Sequence, residues 1–94
     1  MFWVTRHKQE VHLSHTPHEL AEEFPQFEEA MHEMRQSNAH FAKISEDYHT
    51  LNRAVHRAET DVEPTDDLHL TEMRKQRMAL KDEVYQMLNT NSAG

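Results

Sequence analysis

The chain contains no cysteine, which rules out a disulfide framework, a thiolate zinc site and an iron–sulfur cluster. Glycine occurs once in 94 residues, at the last position, and proline three times. Sheet turns and phosphate-cradling loops depend on glycine at positive φ, so both are nearly excluded. Large apolar residues are also scarce: seventeen positions are Leu, Ile, Val or Phe, and the mean hydropathy is −0.96. That supply does not suit a multi-layer enzyme core. The apolar run Phe2-Trp3-Val4 falls far short of the roughly 20 residues that span a bilayer and of a signal-peptide core. The expectation is a cytoplasmic protein with no membrane partner. Positive charge is in deficit, the formal net charge being −7, which argues against nucleic acid as a partner because such binding needs clustered Lys and Arg.

What is present is helical patterning. Residues 1–14 show no sustained period and read as a disordered or weakly ordered extension. Thr16-Pro17-His18-Glu19 has the layout of a capping box, with a hydroxyl at the N-cap, proline at the first helical position and glutamate at N3. The spacing therefore predicts a short helix over 17–23 and, after the Phe24-Pro25 bend, a long helix over 25–59. From Phe24 the apolar positions are 24, 27, 31, 34, 41, 44, 48, 51, 55 and 58, the alternation of threes and fours that marks a coiled coil. Its drift of ~20° per heptad on a 3.6-residue helix predicts a left-handed wrap. Ser37, Asn38, Ser45 and Asn52 lie on or beside this seam and read as register-setting polar residues.

Thr60-Asp61-Val62-Glu63-Pro64-Thr65-Asp66-Asp67 combines turn formers with helix caps. A second helix is predicted from Asp66 or Asp67 to Asn89, with the stripe Leu70, Met73, Leu80, Val84 and Met87, followed by a frayed tail at 90–94. The fold class is thus all-α: an antiparallel two-helix hairpin over 15–89 with a short N-terminal helix. The long helices would measure about 52 Å and 33 Å. Folding back near residue 63 sets Val55 against Leu70 and Phe41 against Val84. Phe24, Phe27, Met31 and Met34 are then left without intramolecular cover except from the short N-terminal helix, and Met78 and Tyr85 lie off the main stripe of the second helix. These six residues are the expected self-association interface of a homodimeric four-helix arrangement.

Nine histidines raise the alternative of a metal-binding or metal-responsive protein. His12, His15 and His18 recur every third residue, but they straddle the predicted helix start and share no helical face. Glu29-x-x-His32 and Glu46-x-x-His49 match the spacing of di-iron bundles, yet both point away from the seam. Arg74, Lys75, Arg77 and Lys81 form a basic stretch expected to pair with acids such as Glu46 and Asp47, and Arg77 falls within the apolar stripe. No nucleophile, base and pocket coincide, so no catalysis and no cofactor are expected.

HFAKISEDYHTLNRAVHRAE at 40–59 and MRKQRMALKDEVYQML at 73–88, with HTPHELAEEFP at 15–25 and VEPTDD at 62–67, resemble the YdcH-like family of small bacterial proteins, a domain of unknown function. The block KQRMALKDEVY is the most specific part, and Met78 stands where leucine is usual, a volume-conserving change. The resemblance implies a helical hairpin without an assigned activity, cofactor or catalytic residue. The function expected is that of a protein-interaction or self-association module.

Overall fold

In a computed structural model, residues 16–60 and 65–93 are described; the predicted extension over 1–14 and the centre of the chain reversal lie outside them. The helices are α1 (Leu20–Glu23), α2 (Glu28–Ser37), α3 (Ala39–Glu59) and α4 (Asp67–Ala93), with a 3-10 turn at Pro25–Phe27 between α1 and α2. The two long helices, α3 and α4, pack against each other. Polar cross-links fix their antiparallel sense: Arg74 meets Glu59 and Arg77 meets Asn52, while His40 meets Glu83 at the far end. Asp66 caps α4 through a 2.7 Å bond from the amide of His69 to its carboxylate, as its position predicts. The helix continues to Ala93, past the predicted end at Asn89.

The first long helix is not continuous. Asn38 adopts an extended conformation (φ −133°, ψ 107°), and its Oδ1 accepts the amide of Phe41 at 3.0 Å. It therefore caps α3 instead of sitting on a coiled-coil seam. Ser37 ends α2 by donating its hydroxyl to the carbonyl of Glu33. Both are side-chain bonds that compete with the helical ladder. The break costs up to three backbone bonds at about 1 kcal/mol net each. It lets α2 fold back along α3 and bury Met31 and Met34, at 2% and 7% exposure, worth roughly 1.5–3 kcal/mol apiece. Burial exceeds the loss.

The N-terminus also differs from the capping-box prediction. α1 starts only at Leu20, with Glu19 at the N-cap making no side-chain cap bond, and Pro17-His18 form a turn in which His18 has φ 66°. Glu22, three residues beyond the predicted glutamate, instead accepts the amide of His18 at 3.1 Å. Pro25 ends α1 at Phe24, as proline sterics require, and opens the 3-10 turn. Leu20, Met31, Met34, Phe41, Ile44, Tyr48, Val84 and Leu88 form one core, with Phe24 and Phe27 packed against it.

Candidate interaction surface

The arm, residues 16–37, is held to one face of the hairpin by polar contacts from two neighbouring turns of α3. The Tyr48 hydroxyl donates to the carbonyl of His18 at 2.6 Å, and Nδ2 of Asn52 donates to that of Pro17 at 2.9 Å. Burial pushes the Tyr48 phenol up to about 12, with the nearby carboxylates of Glu23 and Glu19 adding to the rise and Arg77 opposing it. Lys81 on α4 donates to Glu23 at 2.7 Å. That bond holds the Glu23 carboxyl below its ordinary value despite partial burial, with His18 at 3.1 Å assisting.

Glu19 lies 2.7 Å from Nδ1 of His49 and 3.8 Å from Arg53. Its two oxygens are shut off from solvent, and neither receives a well-aligned hydrogen bond. Glu19 and His49 line a crevice of about 220 Å³ between arm and α3 that also contains Arg35, Glu46 and the buried, unbonded hydroxyl of Ser45.

The expected self-association residues divide between interior and surface. Met31 and Met34 are core residues, and Phe24 and Phe27 are half-buried. Phe24 stacks on Tyr85 with ring centroids 5.6 Å apart, and Phe27 meets the same ring edge-on at 6.2 Å. The strip expected to lack intramolecular cover is thus covered by the arm's own reversal at Asn38, which the heptad spacing conceals. Met78 and Tyr85 stay exposed, at 65% and 42%.

A different apolar surface lies on the opposite face of the hairpin. There α3 and α4 form an open trough of about 560 Å³ whose apolar lining is Leu51, Ala54, Ala79 and Leu80 and whose polar lining is Asp47, Thr50 and Gln76. Leu51 and Leu80 were legible as seam residues. The alanines were not, because alanine is common on any helix surface and gives no periodic signal.

Three members of the basic stretch, Arg74, Arg77 and Lys81, are engaged, though not by Glu46 or Asp47. Arg74 bonds Glu59, Arg77 bonds Asn52 and Lys81 bonds Glu23, while Asp47 pairs with Lys43 on its own helix. Arg77 sits in the stripe because its guanidinium serves the buried Asn52. Among the described residues no three His, Asp or Glu side chains gather in a metal-binding group. His12 and His15 lie outside those residues; Glu29, His32 and Glu46 are exposed, and His49 faces Glu19. No helix among the described residues is long and apolar enough to cross a membrane.

These features define an all-α helical hairpin with an N-terminal arm folded against one face and an apolar trough on the other. The chain belongs to the family described as protein of unknown function DUF465, whose model matches residues 41–88, from the first turn of α3 through most of α4. This is the YdcH-like family its sequence resembles. Comparison with curated proteins and with solved structures returns no match.

Proposed function

We propose that the protein is a non-catalytic self-association module of the bacterial cytoplasm, in which two copies meet trough to trough and their α3 and α4 helices form a four-helix arrangement. The observation that carries this reading is the charge pattern of the trough. On a chain of net charge −7, four of its seven lining residues are apolar, Thr50 and Gln76 are neutral, and its one acid, Asp47, is bonded by Lys43 at 2.9 Å. Two copies can meet there without bringing unpaired acids together, and small residues at Ala54 and Ala79 permit close helix approach.

The test is sedimentation of the wild type and of Ala79→Glu. Ala79 is exposed, so the substitution leaves the core intact, as circular dichroism checks. The wild type should dimerise with rising concentration, and the variant should need at least about tenfold more protein to do so. A wild type that stays monomeric throughout, or a variant that associates equally well, refutes the reading.

A further inference from the structure

We propose that the arm is exchangeable between two copies of this chain, with Asn38 as the hinge. The exchange does not depend on the trough, which lies on the opposite face. Three observations carry it.

The first is a mismatch between pattern and backbone. Met34 and Phe41 are seven residues apart, the same step as Phe27 to Met34 and Phe41 to Tyr48, so the stripe prescribes one straight helix through position 38. The structure bends there instead.

The second is the size of the bend. α2 ends at Ser37 and α3 begins at Ala39, so a single residue separates them. The amide of Asn38 still bonds the carbonyl of Met34, and the amide of Ala42 bonds that of Asn38. Turning φ of Asn38 from −133° and ψ from 107° to the helical values of about −63° and −42° joins α2 and α3. Straightening would replace the Asn38 cap on Phe41 with ordinary helical bonds from the amides of residues 39–41. A one-residue connection whose straight form gains local backbone bonds, while its bent form is held by docking of the arm, is the arrangement that favours exchange, because docking on a second copy keeps both.

The third is that the arm's docking contacts need no particular chain connectivity. The Tyr48 bond to His18, the Asn52 bond to Pro17 and the Lys81 bond to Glu23 are made from the hairpin to the arm across 30, 35 and 58 residues of sequence. They can form equally between copies. With both hinges straight, the two long helices lie antiparallel about a two-fold axis near Asn38, and each arm occupies the face that its partner's own arm has vacated. No new surface is required.

The absence of cysteine makes the test direct. Glu23→Cys with Lys81→Cys, introduced together with Ala79→Glu to suppress trough association, puts a thiol on each side of the arm contact, and a short bis-maleimide spans the gap left by the two shortened side chains. Treated with it after equilibration at rising concentration, a closed arm yields monomers with an internal bridge, whereas exchanged arms yield covalently linked dimers. We expect the linked dimer to increase with concentration. Adding Asn38→Ala, which removes the cap and favours the straight helix, should lower the concentration needed by about tenfold. Inserting Gly-Ser-Gly after Ser37 should restore internal bridging. Internal bridges alone at every concentration, with Asn38 intact and with Asn38→Ala, overturn the proposal. Should Asn38→Ala fail to fold by circular dichroism, the Asn38 protein decides by itself. Failure here leaves the trough reading standing, because that reading is judged by Ala79→Glu.

Discussion

Nη1 of Arg77 donates to Oδ1 of Asn52 at 2.9 Å, while the other half of the same amide holds the carbonyl of Pro17. One fully buried side chain thus ties arm, α3 and α4 together. Replacing it leaves a guanidinium and a carbonyl unsatisfied in a place water reaches poorly, and such losses exceed the net worth of the bonds themselves. Asn52→Ala should lower unfolding stability by about 2–3 kcal/mol, read from the urea midpoint at constant slope. A loss within about 0.5 kcal/mol, typical of an ordinary surface change, would contradict this.

Phe41 has no exposed surface and stands where α2, α3 and α4 converge. Phe41→Ala should cost about 3–5 kcal/mol as a core truncation. Leu68, also a large apolar residue but 75% exposed at the start of α4, should change stability by less than about 0.5 kcal/mol when cut to alanine. Chemical denaturation of the two variants side by side checks the contrast.

Met34→Glu separates the folded arm from an arm left uncovered by its own chain. On an uncovered strip the glutamate would be solvated and would disrupt only association. In the structure Met34 is 7% exposed, within the core cluster, so the charge would be buried without a partner. The expected outcome is a loss of several kcal/mol or outright unfolding, seen as lost cooperativity in thermal melting. A variant that melts like the wild type would show the arm to be open.

The helices and their antiparallel return were legible because period and caps are local signals: the 24–58 stripe, Pro25 and Asp66 each act within a turn or two. The break at Asn38 was not legible. Its cause is a long-range gain, the burial of Met31 and Met34 on the same chain, which outweighs a continuous pattern that favours a straight helix. The role of Asn52 was half legible. Its place on the seam marked it as a polar specifier, but the partners that give it meaning, Pro17 and Arg77, lie 35 and 25 residues away. The trough was least visible, since two of its four apolar lining residues are alanines.

Alkaline titration should report the arm's attachment. Burial raises the Tyr48 phenol to about 12 from an ordinary value of about 10. A raised folded-state value means that the neutral phenol's contribution to stability is complete below the ordinary value. It is then lost as pH climbs from about 10 to about 12, where the unfolded chain ionises first. Tyr48→Phe should remove that slope and should also cost about 0.5–1.5 kcal/mol at neutral pH through loss of the bond to His18. Denaturation midpoints of wild type and variant across this range supply the comparison, and parallel curves would show the phenol to be solvated.

At the acid end the sign is reversed. The Lys81 bond, with His18 beside it, keeps the folded-state value of Glu23 below the ordinary carboxylate value, so between the two values the unfolded chain binds more protons. The contribution of Glu23 is therefore present above the ordinary value and disappears as pH falls through the lowered one. Because the Lys81 side chain is more than a third exposed, solvent screening keeps this contribution modest. Glu23→Gln should be less stable than wild type at neutral pH, and the gap should close on acidification through that window. If the two midpoints instead keep a constant separation down to strong acid, the arm is not held to α4 by this carboxylate.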